Sequence, residues 1–464
     1  MSAEPQFALR VAEATPEKPL AGALETGVDL FLTPARLRVW GIRSGLALVD
    51  QGLTSGAGFG VNLLLARWMP AELYGAFAVA FAGFLFVSGF HNVLLLEPMS
   101  VLGPSRHADR LPAYFRAQIV IHAVLVGALS AAGLLTGLVL WRVYPDSPLT
   151  GAIVGAGLTL PFLLLLWLAR RMCYVVQRPS IAVTGSAFYF VLVFAGLFVL
   201  GRLGRLAPFT AFLLMACGSL AAAIALLWRV GVLKRGKEPE PGISWRERLR
   251  ENWTYGRWLV GSAVLFSVSS QVQTLLAAAM LGLGAAGILR AMQLPSQVMT
   301  QVVTATALLF LPVFSRDFGR EAIGRMHQKA KFVSMGLAIP NLSCVVGLTL
   351  FAGRAEYLLF NGKYASYAWL IPVLALIPVV NGLSAGYSMA LRAAQKPHFD
   401  FVSNVFAAPA AVVSAVIFMR WWGLAGAAAS LVLSFAVLSA VTLVLFRQSV
   451  RQPAPCGESV SVRS

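Results

Sequence analysis

Acidic residues are scarce in this chain: 19 Asp and Glu stand among 464 residues, against 37 Lys and Arg. All charged residues together make up 12%. Soluble domains carry about twice that share, so an ordinary water-soluble globular fold is excluded. Cysteine is rarer still, with four residues. Cys173, Cys217 and Cys344 lie in or beside apolar stretches and Cys456 near the end, with no CxxC pair, so neither a disulfide framework nor a metal site is expected. Also missing are a phosphate-cradling glycine-rich loop, an HExxH helix and a carboxylate pair spaced for sugar chemistry. Their absence removes the usual signatures of nucleotide-, zinc- and glycoside-processing enzymes. The expectation is a protein that is not an enzyme and needs no cofactor.

Apolar residues fill the space instead, at 58% of the chain and a mean hydropathy of +0.75. They fall in runs of about 20, the length that crosses a bilayer as a helix, and not in the alternating segments of about ten that build a membrane barrel. The expected fold class is an all-α polytopic membrane protein of about twelve transmembrane helices. The first six spans are expected near 45–67, 74–96, 117–141, 149–169, 180–201 and 208–230. The second six are expected near 257–281, 285–314, 330–352, 365–391, 399–419 and 423–446. Residues 1–44 then form an N-terminal tail, 45–230 an N-lobe, 231–256 a basic connector, 257–447 a C-lobe and 448–464 a C-terminal tail. The first tail holds no apolar core long enough for a signal peptide.

Placing the amino terminus in the cytoplasm leaves eight of the 37 basic residues on the outer side: Arg67, Arg142, Arg202, Arg205, Arg290, Arg354, Lys363 and Arg420. This is the bias that the positive-inside rule describes, and it explains the formal charge of +18 without a nucleic-acid partner. Both termini and the connector are therefore expected in the cytoplasm. In the connector, WRERLREN (245–252) reads as a short surface helix, with Trp253, Tyr255 and Trp258 as interface aromatics.

The two halves overlay at an offset of 211–214 residues: LLLARWMPAELYGAF (63–77) on TLLAAAMLGLGAAGIL (274–289), and LLLEPMS (94–100) on LLFLPVFS (308–315). Gln51, Gly58 and Asn62 of the first span fall on Ser262, Ser269 and Gln273 of the seventh. Six spans separate the copies, so both halves insert alike, and a pseudo-two-fold axis along the membrane normal is expected to relate them.

The most informative stretch is LRAMQLPSQVMTQVVTATALLFLPVFSR (289–316). Arg290, Gln293, Gln297, Gln301 and Thr304 follow at spacings of 3, 4, 4 and 3, one polar stripe on an apolar helix. A guanidinium deep in a span costs about 2.5–3.5 kcal/mol on insertion scales, so such a residue commonly lines water, a partner charge or a substrate path. The stripe is read as the wall of an aqueous cavity, with Asn62 and Gln273 as further substrate-binding candidates. The plainer reading has Arg290 snorkelling to the nearer surface and the glutamines bonding neighbouring helices. Asp50 stands inside the first span. It is either a titrating site for proton or sodium coupling or a boundary acid that pairs with a base. Glu97, His91 and Asn92 on the second span and Arg116, Gln118 and His122 on the third are grouped as one polar patch or as separate boundary residues. Prolines inside the spans, Pro161, Pro295, Pro340 and Pro409 among them, permit bending.

The first two spans, DQGLTSGAGFGVNLLLARWMPAELYGAF (50–77), and the elements RAMQLP (290–295) and LPVFSR (311–316) resemble the multidrug/oligosaccharidyl-lipid/polysaccharide superfamily, and within it the Wzx-type polysaccharide flippases. The resemblance extends to the order of twelve spans. It implies two six-helix lobes that flip a polyprenyl-diphosphate-linked oligosaccharide from the inner to the outer leaflet of a bacterial inner membrane. The partners it implies are the lipid-linked oligosaccharide, membrane lipids and other polysaccharide assembly proteins. It also implies that Arg290 holds the diphosphate. The lipid II branch has an arginine-rich first helix, whereas here that helix carries Asp50 and no internal arginine before Arg67. That departure favours a capsule, O-antigen or exopolysaccharide intermediate. The rival readings are a cation-coupled multidrug exporter, for which an acidic and aromatic cavity is expected, and a membrane-embedded polymerase or ligase, for which a sizeable outer loop is expected.

Overall fold

The computed structural model describes residues 34–233, 244–318, 323–393 and 398–451. These are helical throughout their ordered elements, with no strand among the described residues. By contacts the chain divides into two units, Met1–Leu48 and Val49–Ser464. The described part of the first is the opening of helix α1 (Pro34–Trp68); the second holds everything discussed below. The predicted connector centre and both predicted tails lie largely outside the described residues.

The remaining helices are α2 (Ala71–His91), α3 (Glu97–Arg106), α4 (Leu111–Val143), α5 (Pro148–Val175), α6 (Pro179–Arg202), α7 (Pro208–Val230) and α8 (Trp245–Leu281). They are followed by α9 (Leu283–Met292), α10 (Leu294–Phe318), α11 (Ile323–Leu350), α12 (Ala352–Phe360), α13 (Leu370–Leu374), α14 (Leu376–Ala393) and α15 (His398–Arg451). Proline opens α4, α5, α6 and α7 within their first two positions, where its missing N–H leaves no bond unmade. Gly231 in the left-handed region closes α7.

Among the described residues, nine helical segments are long and apolar enough to cross a membrane. The difference from twelve predicted spans arises in three places. Helix α1 is not one of the nine, the predicted eighth span is split into α9 and α10 at Gln293, and the last two spans run together as the 54 residues of α15. At about 1.5 Å per residue α15 far exceeds the roughly 30 Å hydrocarbon core. It breaks at Gly423, whose φ of 54° and ψ of −126° are not helical, at the predicted boundary between spans eleven and twelve. Exposed side chains such as Leu135, Val139, Val191 and Phe332 suit contact with lipid tails, which makes this a multi-pass membrane protein.

Backbone groups freed by proline find other partners. Pro161 cannot donate to the Gly157 carbonyl, and Ser130 of α4 donates its hydroxyl there instead, at 2.7 Å. The second predicted span continues from α2 into α3 through a π-helical turn at Asn92–Leu96.

Close approaches between helices rest on glycine. A Cβ at Gly75 of α2 would land on the Leu283 carbonyl, and one at Gly287 of α9 on the Ala71 carbonyl, so these two helices meet backbone to backbone. On α14, Gly382 and Gly386 lie against α11 in the same way, and the Gly386 N–H donates to Ser334 Oγ at 3.0 Å. Beside the α2–α9 contact, the end of α1 is capped from the α12–α13 connection. Lys363 donates through Nζ to the Ala66 carbonyl at 2.7 Å and to that of Met69, and Tyr364 Oη donates to Ala66 at 3.0 Å. Arg67 returns a bond to the Leu358 carbonyl at 3.3 Å. Lysine at a helix C-terminus satisfies orphan carbonyls and suits the helix dipole.

Candidate substrate cavity

A cavity of about 860 Å³ lies among α8, α10, α14 and α15, with the π-helical turn after α2 on its other side. Its polar lining begins with the predicted stripe: Arg290, Gln293, Gln297, Gln301 and Thr304 all face it. The helix break at Gln293, with Pro295 unable to donate a backbone bond, falls one turn after Arg290. Arg290 is half-buried and donates to Gln293 Oε1 at 3.3 Å. No carboxylate among the described residues lies within ion-pairing distance of it. Gln301 Oε1 accepts from Ser55 of α1 at 3.3 Å, and Gln51 in turn donates to Ser55 at 3.2 Å.

Two of the other candidates do not line this cavity. Asn62 is buried, donating to the Gly58 carbonyl at 2.8 Å and accepting from the Tyr74 hydroxyl at 3.2 Å. Gln273 is buried too and donates to Ser434 at 2.9 Å. These positions overlay in the predicted repeat, and both join neighbouring helices within their own half. Asp50 lies elsewhere. It is fully buried, paired with Arg170 of α5 at 2.6 Å, and accepts from Tyr174 at 2.6 Å and Ser186 at 2.5 Å.

The polar patch foreseen between the second and third spans divides. His91 and His122 bond to each other at 3.1 Å, with His122 Nε2 donating to the Pro161 carbonyl at 3.0 Å. Gln118 pairs reciprocally with Asn252 of α8, at 2.9 and 3.3 Å. Only Asn92 and Glu97 reach the cavity, where Asn92 donates to Glu97 at 3.2 Å.

Sequence reasoning missed one wall entirely. Asn381, Ser384 and Ser388 of α14 line the cavity, as do Ser403, Asn404 and Thr442 of α15. Ser384 bonds to Ser439 at 2.9 Å and Ser403 to Thr442 at 3.2 Å. The available signal was the phase of Asn381, Ser384 and Ser388, which the small size of serine and the surrounding apolar residues obscure.

Residues 180–318, from the start of α6 through α10, match the family described as polysaccharide biosynthesis protein. That segment contains Arg290 and the whole glutamine stripe. No curated protein matches the chain in sequence. Among solved structures, an inward-facing multidrug-resistance MATE transporter of the MOP superfamily superposes with a TM-score of 0.71 at 13% identity, covering 86% of this chain and 94% of that one. The lipid II flippase MurJ in an inward closed conformation gives 0.68 at 13% identity, over 86% and 87%. A MOP superfamily transporter from Pyrococcus furiosus, whose title notes a binding pocket of reversed polarity, gives 0.63 at 13% identity, over 88% and 95%. The chain therefore has the fold of the MOP superfamily transporters, and across residues 180–318 it is similar to the polysaccharide biosynthesis proteins.

Proposed function

We propose that this protein flips polyprenyl-diphosphate-linked oligosaccharide units from the inner to the outer leaflet by alternating access, for capsule, O-antigen or exopolysaccharide assembly. The observation that carries the reading is Arg290: a guanidinium at the head of a neutral polar stripe, inside a cavity, with no carboxylate among the described residues within ion-pairing distance of it. Such a site favours an anion, and the paired donors of a guanidinium suit diphosphate oxygens. The cavity volume of about 860 Å³ falls among those that enclose a drug-sized ligand, room for a diphosphate and its first sugars. The glutamine, asparagine and serine lining offers both donors and acceptors to sugar hydroxyls.

Moving negative charge outward is assisted by an inside-negative potential at about 2.3 kcal/mol per charge per 100 mV, so no coupled ion is required. Coupling through Asp50 would require its pair with Arg170 to open. The multidrug-exporter reading draws on the MATE likeness and on Glu97 in the cavity wall. Export assays separate the two. Arg290→Ala is expected to stop polymer export with the protein inserted at normal levels, Arg290→Lys to retain part of it, and Gln297→Ala to be milder than either. Normal polymer production by a stably inserted Arg290→Ala variant would remove the diphosphate reading.

A further inference from the structure

A second arginine lines the same cavity. Arg392 sits in the last turn of α14, exposed to the cavity space. The polar residues of α14 lead to it at spacings of 3, 4 and 4: Asn381, Ser384, Ser388, Arg392. On α9–α10 the same spacings lead away from an arginine: Arg290, Gln293, Gln297, Gln301. Either series keeps four side chains on one helix face. Helices α10 and α14 pack side by side. Both belong to even-numbered spans in the predicted order and so run in the same direction. The two stripes are therefore alike in phase and opposite in polarity, with one guanidinium at each end of a neutral track. From Asn381 to Arg392 alone the track climbs about 16 Å at 1.5 Å per residue.

We propose that Arg392 is the entry station for the lipid diphosphate and Arg290 the station from which it leaves, an inference that rests on the flippase reading above. A polyprenyl diphosphate begins with its charge at the cytoplasmic headgroup layer. In the predicted topology that is the depth of Arg392, while Arg290 lies toward the outer face. The neutral side chains between them bond to sugar hydroxyls without trapping the anion. Two moderate sites release an anion more readily than one strong site, the condition that passage through a pore imposes. Glu97, which also lines the cavity, repels a diphosphate and disfavours its approach there. A cation at the end of α14 would also suit the helix dipole and the positive-inside bias. Neither explains why it continues the cavity-lining series.

The test uses the full-length protein in lipid nanodiscs, titrated with undecaprenyl diphosphate, alongside transport assays. Losing a charge-assisted contact in Arg392→Ala is expected to weaken binding about tenfold or more, with Arg392→Lys intermediate. Arg290→Ala is expected to bind within about threefold of the parent and yet fail to transport. Parent-like binding by Arg392→Ala would overturn the entry station and leave the flippase reading intact. Loss of binding in Arg290→Ala would overturn the order of the stations. No binding by the parent protein would overturn the flippase reading itself. Should Arg392→Ala prove unstable, Ser388→Leu, which interrupts the track one turn away, takes its place with the same expected loss. Displacement of the lipid by inorganic diphosphate would reassign the site to soluble anions.

Discussion

Asp50 illustrates how a single buried charge is judged by its partners. Its carboxylate takes an ion pair from Arg170 and hydroxyl bonds from Tyr174 and Ser186, so its charge is compensated on every side. Removing one partner of such a pair leaves the other charged and buried, at a cost of about 3–5 kcal/mol. Asp50→Asn is therefore expected to lower the thermal midpoint of the purified protein sharply. The double variant Asp50→Asn, Arg170→Gln is expected to recover much of the loss, and transport per inserted molecule to persist. Abolished transport at normal stability would mark Asp50 as a titrating site instead. Arg290 was legible in the sequence because it heads a stripe of glutamines at helical spacing inside an apolar run, a pattern that snorkelling alone does not require. Arg170 and Arg392 were not, because an arginine at the end of a span reads equally well as a boundary residue. Asn62 and Gln273 were correctly seen as polar and interior, yet polarity alone does not tell a cavity wall from a helix–helix bond.

At the scale of helices, the glycine contact between α2 and α9 makes a quantitative demand. Adding a methyl group where backbones already touch forces the helices apart, and overpacking of this kind costs about 1–3 kcal/mol. Gly75→Ala and Gly287→Ala are each expected to lose stability in thermal unfolding. Gly56→Ala, which faces open space, should not. The neighbouring cap on α1 gives a second prediction. Lys363→Met removes both ammonium bonds, to the Ala66 carbonyl of α1 and to that of Met69 just after it. Spin labels at Trp68 and Leu358, on either side of the cap, are then expected to report a broader and longer distance distribution; an unchanged distribution would show that the glycine contact alone holds this end. The order of the apolar runs was readable from hydropathy, since each must match one bilayer thickness, but several helices run well past the predicted ends, as α1 does at Pro34 and the second span does at Arg106. The break at Gln293, the π-helical turn at Asn92 and the extension of α8 back to Trp245 were not, because they depend on which backbone bonds neighbouring helices can satisfy.

For the molecule as a whole, the positive-inside bias predicts both termini and the connector in the cytoplasm. A thiol-reactive probe that cannot cross the membrane should label Glu240→Cys only after the cytoplasmic face is opened; labelling from outside would overturn the orientation and the assignment of Arg392 to the entry side. The all-helical, multi-pass architecture followed from the apolar runs, because only helices and closed barrels satisfy backbone groups in lipid and runs of about 20 residues, not alternating segments of about ten, fit helices. Of the cavity only the stripe headed by Arg290 was legible; the α14–α15 wall was not, since it comes from helices distant from that stripe in the chain.

Helix α8 gives the surface at its Trp245 end a mechanical reach that its exposed residues do not suggest. Its 37 residues form one uninterrupted rod of about 55 Å, beginning with Trp245 and passing the cavity at Leu259, Ser262 and Phe266. Near its start Glu251, bonded by Arg248 of the same helix, is held by Arg106 of α3 and by His107 just after it, which fastens the rod to α3 as a lever is fastened to its fulcrum. An antibody fragment that seized the rod at Trp253 would apply torque inside the cavity wall without ever entering it.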